Sequence, residues 1–83
     1  MTVQIEVTLF ARAKDLAGTD KLTLSLAENA TVGELRHTLG EHAPNLKPYL
    51  PNLLIALGTD YATDTTPIKN HTQAACFPPV SGG

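Results

Sequence analysis

One stretch dominates the reading of this chain: ATVGELRHTLGEHAP, residues 30–44, is the only segment with the signals of a full-length helix. Thr31 predicts an N-cap, Glu34 completes a capping box, and Ala30 and Leu35 form a hydrophobic staple around it. Val32, Leu35, Leu39 and Ala43 fall along one face, and Pro44 ends the run. Gly33 and Gly40 each weaken a helix by about 1 kcal/mol relative to Ala, so packing must hold it in place. One helix cannot cover both faces of a sheet, and that limits what the flanking strands can build.

Those strands are legible by period. Val3, Ile5, Val7 and Leu9 alternate with Gln4, Glu6 and Thr8, which predicts a strand with one buried face. By the same parity Phe10 falls on the opposite face, where water is expected. Ala11 to Leu16 reads as a helical turn and Gly18-Thr19-Asp20 as turn chemistry. Leu22, Leu24 and Leu26 alternate with Thr23 and Ser25 in a second strand, which pairs with the first. NLKPYLPN, 45–52, reads as a loop with two prolines. LLIAL, 53–57, is an apolar run of strand length, turned by Gly58-Thr59-Asp60 into a short return strand at Tyr61-Ala62. TDTTP reads as polar loop, and QAACF, 73–77, as a last short strand stopped by Pro78. The expectation is an α+β roll: a twisted mixed sheet packed on one main helix, the element order of the β-grasp, or ubiquitin-like, fold.

Eighty-three residues suffice for one domain, expected over 1–77, with 78–83 as an extended, flexible C-terminal tail. The net charge of −2 and the scattered basic residues offer no stripe for phosphates, which argues against nucleic acid. The single cysteine excludes an internal disulfide framework. No segment reads as a signal peptide or a membrane span, so a soluble cytoplasmic protein is expected.

Most templates for chemistry inside the domain fail. No glycine-rich loop cradles phosphates, so the chain is not expected to bind ATP by itself. His37 and His42 are poorly spaced for one helix face, His71 is remote, and no Cys/His set suits a metal. Asp60 and Asp64 flank a turn and read as local hydrogen-bonding residues rather than an acid/base pair. Cys76, inside an apolar strand, reads as a small buried hydrophobe without a basic neighbour to activate it. Ser25 and Ser81 lack a His/Asp partnership.

The tail remains. In FPPVSGG, Pro78 and Pro79 fix φ and favour an extended polyproline II stem. Pro78 to Gly83 spans at most ~20 Å. Gly82 and Gly83 carry no side chains, so the tip fits a narrow channel, and Gly83 offers an unhindered carboxylate. That arrangement suits delivery of a carboxylate into another protein's active site. A frayed terminus explains two glycines but explains a stiff stem rooted in a strand less well.

VTLFARAKDLAGTD, TVGELRHTL and above all FPPVSGG resemble the small subunits of molybdopterin synthase, a family of ubiquitin-like sulfur carriers. The similarity runs essentially end to end. The resemblance implies that an ATP-dependent activating enzyme adenylates the Gly83 carboxylate. Sulfur derived from a persulfide donor then replaces AMP, leaving a thiocarboxylate. It further implies that the tail, Pro78, Pro79, Val80, Ser81 and Gly82, enters the large synthase subunit, where sulfur passes to cyclic pyranopterin monophosphate. A heterotetramer with that large subunit is the implied assembly, and no cofactor is held by the chain itself. Phe77 and Phe10, with Tyr61 as a third candidate, are expected to make a docking patch at the tail's root.

The chain departs from the family at two places. Gly58 stands where Asn is usual, and NHTQAA, 70–75, replaces a Gly-Asp-Glu turn. Three alternatives share the tail: a carrier serving thiamine thiazole or cysteine synthesis, a ubiquitin-like modifier joined to lysines, and a binding module whose tail only docks.

Overall fold

The computed structural model describes residues 1–69 and 72–79. Their elements run β1 (Thr2–Leu9), α1 (Ala11–Ala17), β2 (Lys21–Ala27), α2 (Val32–His42), a 3₁₀ helix (Pro44–Asn52), β3 (Leu54–Leu57), β4 (Asp60–Ala62) and β5 (Gln73–Phe77). The strands form one five-stranded sheet in the order β2-β1-β5-β3-β4. β1 pairs antiparallel with β2 and parallel with β5, while β3 pairs antiparallel with β5 and β4. This is the mixed α+β sheet that the sequence predicts, with α1 filling the connection between the first two strands.

The period-two pattern fixes which face is buried. Ile5, Val7 and Leu9 of β1, Leu24 and Leu26 of β2, Ile55 and Leu57 of β3, and Ala74 and Cys76 of β5 all lie in the core. They share it with Val32, Leu35 and Leu39 of α2, and both staple residues, Ala30 and Leu35, are fully buried. Each large aliphatic side chain taken out of water here contributes roughly 1.5–3 kcal/mol, which outweighs the poor helix propensity of a segment with two glycines.

Those glycines have a packing reason. A Cβ on Gly40 would sit 2.5 Å from Leu50 Cδ1, and one on Gly33 would sit 3.2 Å from the Asp64 carbonyl oxygen. The missing side chains let the 3₁₀ helix and the loop after β4 lie close against α2.

Two expectations are corrected. NLKPYLPN is not a loop but most of a 3₁₀ helix opened by Pro44. Leu46 within it is fully buried, and its N–H donates to the Ala43 carbonyl at 2.9 Å, an i→i−3 bond. The fixed φ of Pro44, Pro48 and Pro51 suits this tighter helix, and prolines without N–H groups leave no donors to satisfy. The capping box does not form either. Thr31 is the N-cap residue, but its side chain makes no capping hydrogen bond. The Val32 and Gly33 N–H groups donate instead to the Thr66 and Asp64 carbonyls, each at 2.9 Å. A distant loop caps the helix with its backbone, which satisfies the same orphan donors by another route.

Arg36 ties these long connections together. Its Nε donates to Asp64 Oδ1 at 3.0 Å and its Nη1 to the Leu53 carbonyl at 2.7 Å and to the Leu50 carbonyl. Asp64 is therefore an ion-pair partner of α2, a role that its place in a turn did not reveal.

A candidate docking face at the root of the tail

The sheet face turned away from α2 carries the candidate site. β5 alternates exposed or half-exposed Gln73, Ala75 and Phe77 with buried Ala74 and Cys76, so Phe77 points outward at the strand's last position. Register puts Leu54 of β3 directly beside Phe77, and Ala56 beside both Ala75 and Tyr61. On the other side, the Phe10 N–H donates to the Cys76 carbonyl at 3.0 Å. The β1–β5 ladder thus continues past the end of β1 and brings Phe10 level with Phe77.

The three aromatic candidates meet. Phe10 and Phe77 stack edge to face with ring centroids 6.5 Å apart, and Tyr61 meets Phe77 at 5.7 Å. Phe10 is 49% exposed and Tyr61 73% exposed, among the few large apolar side chains that face solvent. Leu54, Ala56 and Ala75 are half-buried beside them. A depression of about 160 Å³ bordered by Thr8, Phe10, Gly58 and Ala75 adjoins the rings. Contiguous apolar surface of this kind on a small domain makes the face a candidate for docking. The half-exposed Glu6–Lys21 pair, 4.0 Å apart, flanks the depression, with Lys21 beside Thr8 and Glu6 beside Gln73.

Phe10 itself is extended, with φ −120° and ψ 151°, and the strained backbone is at the next residue. Ala11 has φ +53°, in the left-handed region that a residue with a Cβ rarely adopts. The reversal lets α1 start immediately after β1, with the Ala13 N–H donating to the Phe10 carbonyl at 3.1 Å. Ala13 is then fully buried while Phe10 remains outside. Nothing in the sequence pointed to this conformation, because alanine is not a left-handed residue by habit.

Pro78 is half-buried and Pro79 exposed where the chain leaves β5. Val80, Ser81, Gly82 and Gly83, the remaining tail candidates, lie outside the described residues, as do Asn70 and His71 of the departing segment. The turn at Gly58 keeps its function despite the departure. Gly58 has φ +61° in the two-residue connection between paired Leu57 and Asp60, a conformation that glycine and asparagine both tolerate. β5 also starts normally: the Glu6 N–H donates to the Thr72 carbonyl at 2.8 Å, and Gln73 pairs with Glu6.

Cys76 is a core residue. It is fully buried, and burial pushes its thiol up to about 11, opposed by the nearby Arg36 charge. Among the described residues no group of His, Cys, Asp and Glu is arranged to hold a metal ion, and no helix is long and apolar enough to cross a membrane.

Comparison with known proteins places this geometry in context. The ThiS family matches residues 7–83. The chain is 34% identical over 82 residues to the molybdopterin synthase sulfur carrier subunit of Arabidopsis thaliana, covering 99% of this chain and 85% of that protein. It is 29% identical over 83 residues to the protein of the same name from Chlamydomonas reinhardtii, covering 98% and 100%. Among solved structures, SAMP1 from Haloferax volcanii superimposes with a TM-score of 0.86 at 25% identity, over 96% of this chain and 99% of that one. Caldiarchaeum subterraneum ubiquitin superimposes with a TM-score of 0.69 over the full length of both chains, and at 18% identity that likeness concerns the fold.

Proposed function

Because the chain belongs to the ThiS family, we propose that it is the sulfur-carrier subunit of a molybdopterin synthase. The observation that carries the reading is the aromatic cluster of Phe10, Phe77 and Tyr61 at the strand end from which the tail departs. A carrier must be gripped by an activating enzyme and then by an acceptor enzyme while its tail lies in each active site. An apolar patch beside the tail's root serves both without committing the tail.

In this reading Gly83 carries the chemistry. Its carboxylate attacks the α-phosphorus of ATP held by the activating enzyme, and pyrophosphate leaves. The terminal sulfur of a persulfide donor displaces AMP to give an acyl disulfide, and a second thiol attacks the donor sulfur, which releases the thiocarboxylate and leaves a disulfide on the donor side. Within the large synthase subunit that sulfur passes to cyclic pyranopterin monophosphate, two transfers building one dithiolene, and the carrier returns as a carboxylate. Gly82 supplies thinness, and Pro78 and Pro79 hold the tail off the sheet. The chain itself holds no cofactor, ATP belonging to its activating partner, and it works in the cytoplasm as part of a heterotetramer.

The test is intact mass after incubation with ATP, a sulfur source and the activating enzyme. A gain matching one oxygen replaced by sulfur, lost when Gly83 is deleted, is expected. No gain with an activating enzyme proven active on its own carrier would overturn the reading. The likeness to SAMP1 supports a second reading, a ubiquitin-like modifier, whose product would be an isopeptide adduct on lysine.

A further inference from the structure

The sheet has two edges, and β2 is one of them. The Leu9 N–H donates to the Asp20 carbonyl and the Glu28 N–H to the Met1 carbonyl, at 2.7 and 3.2 Å. The even-numbered residues of β2 therefore turn their backbone groups toward β1, and Thr23, Ser25 and Ala27 turn theirs away. The ends of this edge are closed. The Thr19 hydroxyl bonds both backbone groups of Lys21, and the Ala27 carbonyl accepts from Ala30 at 2.9 Å. Among the described residues, the N–H and C=O of Thr23 and Ser25 and the N–H of Ala27 have no partner. An open row of this length is a template for one short added strand.

The space beside it has a defined chemistry. A groove of about 480 Å³ runs between this edge and α2, with Ser25 and Leu26 on one wall and Glu34, His37 and Thr38 on the other. Glu41 stands 3.9 Å from His37, one turn along the same stripe. A strand added to β2 alternates its side chains, and those on the helix side lie over the groove facing Glu34 and His37, with Glu41 one turn beyond. We propose that the β2 edge and the α2 stripe receive an extended basic segment of a partner protein, which adds a sixth strand to the sheet. A second copy of this chain fits less well, because pairing β2 with β2 brings one acidic stripe against its twin. The edge lies beyond β1 from the aromatic cluster, so the two surfaces can be occupied together, and this site does not depend on the sulfur-carrier reading.

The test is an NMR titration of the full chain with an acetylated, amidated Lys-Val-Lys-Val-Lys-Val peptide, with the Glu-Val counterpart as control. The expected result is shift changes confined to Thr23, Ser25, Ala27 and the Glu34–Glu41 stripe, with slowed exchange of the Thr23 and Ser25 amides. Ser25→Pro, which removes one edge donor, and Glu34→Lys/Glu41→Lys, exposed on α2, should each weaken the Lys peptide at least tenfold with spectra otherwise folded. Shifts centred on Phe10, Tyr61 and Phe77, equal binding of the Glu peptide, no binding at millimolar peptide, or amide protection that appears with self-association instead would each overturn the proposal.

Discussion

The Tyr61 ring meets the Phe77 ring edge-on, with centroids 5.7 Å apart and planes inclined by 60°. Two residues from different strands thus brace each other on a face that the core does not need. The contact stabilises the arrangement of the patch more than it stabilises the fold, because Tyr61 remains 73% exposed.

Replacement of these rings should separate binding from stability. Phe77→Ala is expected to weaken binding to the activating enzyme at least tenfold while lowering stability by only about 1–2 kcal/mol, since the ring is half-buried. Tyr61→Ala should weaken binding with almost no change in melting temperature. Calorimetric titration beside thermal unfolding checks both; equal binding with a steep fall in melting temperature would place Phe77 in the core's service instead.

Ala11→Gly should stabilise the protein. Glycine adopts the φ of +53° seen at this position without the Cβ clash. Relief of strain, offset by greater freedom of the unfolded chain, leaves a gain of about 0.5–1 kcal/mol. For a domain of this size that amounts to a rise of roughly 2–8 °C in melting temperature. An unchanged or lower melting temperature would mean that the left-handed turn is not strained.

Arg36 and Asp64 should be unequal partners. Arg36→Met leaves the part-buried carbonyls of Leu50 and Leu53 without their donor, a loss of about 1–3 kcal/mol for each group left unpaired. Asp64→Asn removes one side of an ion pair whose carboxylate side chain is 62% exposed, and should cost less than ~1 kcal/mol. Urea unfolding of the two variants decides it, and equal losses would shift the weight to the ion pair.

Cys76 should impose a pH dependence. The thiol titrates near 9.0 without burial and at about 11 in the folded chain. Between these values the unfolded state loses its proton first, so the thiol's contribution is complete below pH 9 and is lost as pH rises toward 11. The wild type should therefore lose more stability over that window than Cys76→Ala, which lacks the group. Iodoacetamide should label Cys76 only when the protein unfolds. Labelling of folded protein at pH 8 would contradict the burial.

The sequence spoke clearly wherever a rule acts locally. The alternation around Ile5, Val7 and Leu9 specified β1 and its buried face, and carrying the same parity one step further put Phe10 outside. Cys76 read as core from its apolar neighbours alone. Apart from the left-handed backbone at Ala11, the misses involve partners farther along the chain. Thr31 and Glu34 satisfied the capping rule, yet the carbonyls of Asp64 and Thr66 took the helix donors. Pro48 and Pro51 read as loop punctuation, while burial of Leu46 and the close fit of Leu50 to Gly40 made that segment helical. Arg36 counted only as one of the scattered basic residues because its acceptors lie 14 to 28 residues downstream.

The central place of β5 has a mechanical consequence. The strand that leads into the tail is zipped on both sides, parallel to β1 and antiparallel to β3. In the proposed carrier role, a partner that draws in the tail pulls on the end of this strand. That tension loads both rows of hydrogen bonds in shear, many at once, rather than peeling them singly as it would at a sheet edge. The chain can be tugged by its tip and released repeatedly while the domain behind it keeps its shape.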